Sequence, residues 1–222
     1  MPTVILVRHG RSQANADGVL AGRTPGVPLD EAGREQVQKL ADRLGQARLS
    51  RVVTSPLERC RQTAERLTPE PIVDDRLIEC DYGEWTGRTL GELRDEPLWD
   101  RIQRRPSTVS FPGGESMRAM QARALDAIAE HDAAVAADDG HQSVWVAVTH
   151  ADLIKAIVAD ALGLHLDGFQ RILVDPGSVS VVHIGTHGRH LWKLNVTAAV
   201  DIAVATRRNE PDIAVGGGPG TS

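Results

Sequence analysis

Aromatic side chains are scarce in this chain: four tryptophans, two phenylalanines and one tyrosine, 3% of 222 residues. A core closed with so few rings is expected to be aliphatic, filled by the plentiful Ala, Val and Leu. Cysteine is scarcer still. Cys60 and Cys80 have neither the spacing of zinc ligands nor the numbers of a disulfide framework, which predicts two reduced thiols in a cytoplasmic protein. Basic charge is not in excess, since 25 Lys and Arg stand against 30 Asp and Glu for a formal net charge of -5. That balance argues against a nucleic-acid partner, which would present a basic face. No apolar run approaches the length of a membrane span, and the N-terminal residues form no leader pattern. Neither membrane insertion nor export is expected.

What is present begins with a short apolar run, Val4-Ile5-Leu6-Val7, that ends in Arg8-His9-Gly10. A continuous β-branched and aliphatic run without polar gaps reads as a buried strand, here Thr3 to His9. Its end delivers a guanidinium, an imidazole and a glycine to the carboxyl edge of a sheet, where α/β proteins bind ligands. Imidazole is a competent nucleophile toward phosphorus, and arginine suits bidentate capture of phosphoryl oxygens. Taken alone, His9 reads equally well as an ordinary strand-end histidine with its hydrogen bonds satisfied.

Strands and helices alternate downstream. After a polar loop from Arg11 to Leu29, Asp30 is placed as the N-cap of a helix carrying Val37, Leu40, Ala41 and Leu44 on one stripe. Arg51 to Thr54 reads as a second strand, followed by a helix from Leu57 to Leu67 with Pro56 in its first turn. Pro71 to Val73 adds a short strand. Asp74 to Pro112 is irregular, contains Tyr82, Trp85 and Trp99, and has the character of a substrate lid. A long helix is predicted over Glu115 to Ala137, with Met117, Met120, Ala124, Ile128 and Val135 inward; the two methionines read as core. Ser143 to Val148 is a further strand ending in Thr149-His150, and the next helix places Leu153, Ile154, Ile157, Val158, Ala161 and Leu162 inward. Strands Ser178 to Ile184 and His190 to Val196 form a hairpin around Gly185-Thr186-His187-Gly188.

The expected fold is therefore α/β, a three-layer α/β/α arrangement with a mostly parallel central sheet and one antiparallel strand. Residues 1–205 are read as one catalytic domain and 206–222 as a flexible, polar, Gly-rich tail. His183, His187 and His190 have loosely metal-like spacing, but strand alternation does not converge them, so no metal is assigned there.

In a parallel sheet the strand ends share one edge, so Arg8, His9, Arg59 and His150 are expected to converge although they lie far apart in sequence. Two guanidiniums, two imidazoles and nearby helix starts suit a dianionic phosphate.

The blocks around these residues resemble the histidine phosphatase superfamily, in its phosphoglycerate-mutase-like branch. Arg8-His9-Gly10-Arg11-Ser12-Gln13-Ala14-Asn15 is similar to R-H-G-x-S-x-x-N, and Pro28-Leu29-Asp30-Glu31-Ala32-Gly33 to P-L-[ST]-x-x-G. Ser55 to Glu65 is similar to S-x-L-x-R-x-x-x-T-A-E, and Leu77 to Gly87 to L-x-E-x-x-[FY]-G-x-W-[ET]-G. Gly113-Gly114-Glu115-Ser116 resembles the family's G-E-S helix start, and Val148-Thr149-His150 its second histidine block. The matches run in family order over residues 3 to 196.

The resemblance implies roles. His9 would become the phosphohistidine. Arg8, Arg59 and His150 would bind the phosphoryl oxygens, assisted by Asn15. Glu79 would protonate the leaving oxygen and then activate water, with Asp81 and Glu84 as competing carboxylates. No metal or cofactor is needed for that chemistry. A carboxyl that donates near neutral pH does need a raised pKa.

The implied activity is metal-independent phosphomonoester hydrolysis on a small phosphorylated metabolite. A phosphomutase and a non-catalytic phospho-ligand module are the alternatives. The block after Glu79 is Asp81-Tyr82-Gly83-Glu84-Trp85-Thr86-Gly87 rather than the mutase form R-x-Y-G-x-x-x-G, and the insertion that follows is short. Both features favour hydrolysis. Two departures from the family pattern bear on substrate: Arg11 stands where many relatives have Glu, and Ala151-Asp152 where Gly-Gly or Gly-Asn is common. Arg11, Arg23, Trp85, Asp152 and Lys155 are accordingly expected near the leaving group, and the two arginines suggest an acidic or multiply phosphorylated substrate. Family members are frequently dimers, which makes the late hairpin a candidate homodimer edge by analogy.

Overall fold

The computed structural model describes residues 2–45, 47–185 and 188–197. His187 and the expected tail, 206–222, lie outside the described residues.

Six strands form one sheet in the order β3-β2-β4-β1-β5-β6: β1 (Thr3–Arg8), β2 (Arg51–Thr54), β3 (Ile72–Val73), β4 (Val144–Thr149), β5 (Val179–Gly185) and β6 (Gly188–Val196). The first four are mutually parallel. β5 is the one strand that runs against them, and it pairs antiparallel both with β1 and with its hairpin partner β6.

Side-chain alternation along each strand splits the core into two halves. Val4 and Leu6 of β1 and Trp145 and Ala147 of β4 face one cluster; Ile5, Val7, Val144, Val146 and Val148 face the other. The first cluster is covered by α6 (Met117–Asp139) and α7 (Ala151–Ala161). The second is covered by α2 (Glu31–Leu44) and α3 (Glu58–Ala64). The result is the expected three-layer stack.

Local chemistry adjusts several boundaries. The loop after β1 holds a one-turn helix, α1 (Gln13–Ala16), started by a reciprocal cap between Ser12 and Asn15. Asp30 does cap α2, accepting from Gly33 N at 2.7 Å. α3 is shorter than Leu57 to Leu67: Leu57 is its N-cap and Pro56 precedes it, while Arg66 and Leu67 close 3-10-type bonds to Thr63 and Ala64. α6 starts at Met117 rather than Glu115, because Ser116 caps it through Ala119 N and Glu115 is engaged elsewhere. Leu162 was expected inward but is 53% exposed. It is the C-cap of α7, and Ala156 and Ala159 fill the inner stripe instead.

The irregular section contains 3-10 turns at Asp75–Leu77, Gly83–Trp85 and Pro106–Thr108, and two short helices, α4 (Leu90–Leu93) and α5 (Pro97–Arg104). It packs over the carboxyl edge of the sheet. No helix among the described residues is long and apolar enough to cross a membrane.

Candidate active site

Sheet register assembles the site. Arg8 of β1 lies opposite Thr149 of β4, and Thr54 of β2 lies opposite Val148. Residues one step beyond these pairs, His9, His150 and Ser55, are therefore neighbours. His9 N donates to Thr149 O at 3.1 Å and Ser55 N to Val148 O at 3.0 Å. The two imidazoles meet edge-on with ring centroids 5.2 Å apart.

His9 is held in one tautomer by two hydrogen bonds. Nδ1 lies 2.7 Å from Gly10 O, so Nδ1 carries the proton. Nε2 accepts from Arg59 Nε at 3.2 Å and so presents a lone pair. Burial, then the Arg59 and Arg8 charges, push the imidazole well below its ordinary pKa, which keeps it neutral and nucleophilic.

Arg59 reaches this position from the first turn of α3. Its Nη2 donates to Gly22 O at 2.8 Å and approaches His150 Nδ1 at 3.3 Å. His150 is fully buried, and burial together with the Arg59 charge lowers its pKa well below the usual value. Since Nδ1 faces the Arg59 donor, Nε2 is the protonated nitrogen, directed at Ser55 Oγ 2.8 Å away. Arg8 Nη1 donates to Val174 O at 2.6 Å.

Two guanidinium nitrogens at the floor, Arg8 Nε and Arg59 Nη1, are buried without a hydrogen-bond partner among the described residues. A buried N–H left unsatisfied is unfavourable by about 1–3 kcal/mol, more when charged. Unsatisfied N–H groups on two cations that line one cavity favour an anionic acceptor there.

Glu79 completes the floor. Its Oε1 accepts from Cys80 N at 2.9 Å, and Oε2 stands 3.6 Å from His150 Nδ1. Burial, then the charge of Asp152, raise its pKa from the ordinary 4.5 to about 7, against the opposing pull of Arg59 and Arg8. A carboxyl in that range carries a transferable proton at neutral pH. Asp81 and Glu84, the competing carboxylates, do not line the cavity, and Asp81 pairs with Arg23 at 3.5 Å.

The cavity above this floor has a volume of ≈ 380 Å³ and is also lined by Asn15, Trp85, Asp152 and Lys155. Asn15 Oδ1 accepts from Ser12 N and Oγ at 3.1 and 3.0 Å, so the Ser12 contacts leave the amide N–H groups unused. Asp152 accepts from Tyr82 OH at 2.9 Å.

Two expected leaving-group contacts are corrected by the structure. Arg11 is exposed and outside the cavity wall, with Nε bound to Asp30 Oδ2 at 2.7 Å. Arg23 is also outside the wall. Its Nη2 pairs with Glu115 Oε1 at 2.9 Å and its Nε donates to Glu79 O at 2.9 Å. In this structure each cation is paired with a carboxylate from another element rather than directed into the cavity.

Sequence reasoning assigned no role to Ser55, Thr63, Glu115 or Arg123. Thr63 Oγ1 accepts from Gly10 N at 3.2 Å and donates to Arg59 O at 2.8 Å, tying the His9 loop to α3. Three of the four sit inside the matched blocks, which was the one available signal; Arg123 sits two turns into α6 with nothing local to distinguish it from a solvated helix arginine.

The chain is similar to known proteins over most of its length. A family model described as histidine phosphatase superfamily (branch 1) matches residues 4–197. Phosphoserine phosphatase 1 of Hydrogenobacter thermophilus is 33% identical over 203 residues, covering 89% of this chain and 93% of that protein. A probable phosphoglycerate mutase of Cronobacter sakazakii is 31% identical over 188 residues, covering 82% and 85%. Among solved structures, mycobacterial glucosyl-3-phosphoglycerate phosphatase in complex with VO3 superposes with a TM-score of 0.77 at 27% identity, covering 87% of this chain and 98% of that one.

Proposed function

The chain belongs to the histidine phosphatase superfamily, and on that premise we propose that it hydrolyses small phosphomonoesters through a phosphohistidine on His9. The observation that carries this reading is the pairing of a neutral, buried His9 with its Nε2 lone pair facing the floor and the unsatisfied Arg8 Nε and Arg59 Nη1 donors beside it.

The phosphoryl group of the substrate takes its place beside His150, with the Arg8 and Arg59 guanidiniums neutralising its oxygens and the Asn15 amide assisting. Arg59 Nε transfers its hydrogen bond from His9 Nε2 to a phosphoryl oxygen, and the freed Nε2 lone pair attacks phosphorus. As the N–P bond forms, the P–O bond to the leaving group breaks, and Glu79 gives its proton to the departing oxygen. The ionised Glu79 then takes a proton from water, the resulting nucleophile attacks phosphorus, and the N–P bond breaks. Inorganic phosphate leaves, and His9 and Glu79 are restored to their starting states.

A phosphomutase uses the same phosphoenzyme but returns the phosphoryl group to a second hydroxyl. Among the described residues the cations lining the cavity are Arg8, Arg59 and Lys155, and the Asp81–Gly87 block adds none. That poverty of cations argues against retention of a doubly phosphorylated intermediate and favours water as acceptor. Residues 1–205 are assigned as the catalytic domain, and the two buried, unpaired thiols support a cytoplasmic location.

The test is phosphate release from a panel of phosphomonoesters with EDTA present. Wild type is expected to release phosphate and form an acid-labile phosphoenzyme, and His9→Ala to do neither. Full activity in His9→Ala, or release that depends on added metal, would overturn the reading.

A further inference from the structure

The site cavity has two chemically distinct halves. Its floor carries the charged groups already described. Its outer wall is formed by Trp85, Leu90, Trp99, Ile102, Phe111 and Leu173. Trp85 stacks on Trp99 with centroids 6.3 Å apart and meets Phe111 edge-on at 5.5 Å, so the wall is a packed aromatic surface. Leu90 and Leu173 at its mouth are 39% and 70% exposed. Of the chain's seven aromatic residues, four line this cavity: Tyr82, Trp85, Trp99 and Phe111. Trp85, Ile102 and Phe111 are themselves buried and back the wall, while Leu90 and Leu173 are open to water; an apolar lining beside a polar centre suits an apolar ligand.

The charges of the outer half point the same way. Lys155 is its cation, and Nζ is shared between Asp152 Oδ1 at 3.5 Å and Gln170 Oε1 at 3.2 Å. Asp152 and Asp175 add negative charge to the wall. A carboxylate on the leaving group would have to displace Asp152 from Lys155 while facing Asp175. Arg11 and Arg23, the other arginines near this edge, are paired with Asp30 and Glu115 and do not line the cavity.

We propose that the outer half of the cavity receives an uncharged, mainly apolar leaving group, so that the preferred substrates are alkyl or aryl phosphomonoesters rather than phosphorylated amino acids or phosphoglycerates. This rests on the phosphatase reading and names the substrate class of that site.

The experiment compares ethyl, butyl and hexyl phosphate with phosphoserine on the full chain. All four esters release an alcohol, so the chemical step is similar and the series reads the cavity wall. kcat/KM is expected to rise about threefold per methylene, to place hexyl phosphate well above phosphoserine, and to lose most of that rise in Trp99→Ala. A flat series, or phosphoserine turned over as well as hexyl phosphate, overturns the proposal. Should no ester be hydrolysed, the phosphatase reading fails on its own. Calorimetric titration of His9→Ala then still tests the wall: hexyl phosphate bound at least tenfold more tightly than ethyl phosphate supports it, and equal affinities overturn it.

Discussion

Arg123 grips the backbone of Glu79: its Nη2 donates to Glu79 O at 3.1 Å while its Nη1 takes Arg76 O and Ile78 O at 2.6 and 2.7 Å. Glu115 holds the guanidinium in place through Oε1 and Oε2 at 2.6 and 3.1 Å. Arg23 joins the same carboxylate and the same Glu79 carbonyl from the opposite loop. The segment that carries Glu79 has no regular structure, so this clamp supplies the rigidity that a helix or strand would otherwise provide.

Loosening that clamp should damage proton donation more than phosphate binding. Arg123→Lys keeps the charge and loses the planar fork. It is expected to lower kcat for alkyl phosphates about tenfold or more, with KM little changed. p-Nitrophenyl phosphate, whose leaving group needs little protonation, should lose about threefold or less by comparison. Equal losses on both substrates would mean that Arg123 serves general folding and not the placement of Glu79.

The raised pKa of Glu79 sets a pH dependence for activity and for stability. For alkyl phosphates, kcat/KM should fall above about pH 7 as Glu79 loses its proton, and Glu79→Gln should abolish that limb along with most of the activity. The folded state holds this proton more tightly than the unfolded chain does. Stability from this group is therefore full below the ordinary pKa of 4.5 and is lost as pH rises to about 7. Thermal unfolding should show Glu79→Gln more stable than wild type at pH 8, by on the order of 3 kcal/mol, with the difference vanishing near pH 4.

Arg11→Ala should leave kcat/KM for both neutral and anionic phosphomonoesters within about twofold of wild type, because the side chain is tied to Asp30 outside the cavity. A selective loss on anionic substrates would return Arg11 to the leaving-group site.

Gly10 and Gly33 let the His9 loop lie directly on α2. A Cβ on Gly33 would fall 1.9 Å from Arg11 O, and one on Gly10 would fall 2.6 Å from Gly33 O. Gly33→Ala must push the Arg11 backbone away and shift His9 with it. Destabilisation of about 1–3 kcal/mol by chemical denaturation, together with reduced phosphate release, is the expected result.

Neither thiol should react in the native protein. Cys60 and Cys80 are both fully buried, and burial pushes the Cys60 pKa up to about 12. Titration with Ellman's reagent at pH 8 should find two thiols after unfolding and essentially none before; prompt reaction of Cys60 would show that the site floor opens.

Short-range pattern was enough for much of this protein. The apolar runs at Val4–Val7 and Val144–Val148 become the two central strands, Asp30 caps its helix, and the residues at the two strand ends are the two histidines of the site, because strand and cap formation depend on neighbours within a few positions. Order along the chain also implied a parallel sheet, which is why His9 and His150 could be expected on one edge. The tertiary structure decided what each charge does. Arg8, Arg11, Arg23, Arg59 and Arg123 are alike as residue types, yet two line the cavity floor, one pairs with Asp30, and two clamp the backbone behind Glu79. The pKa of Glu79 depends on Asp152, 73 positions away in sequence, and the apolar outer wall draws on Trp85, Ile102, Phe111 and Leu173 from four separate segments. Electrostatic and packing environments are sums over spatial neighbours, so they exist only once the sheet has closed and the irregular section has settled over its edge.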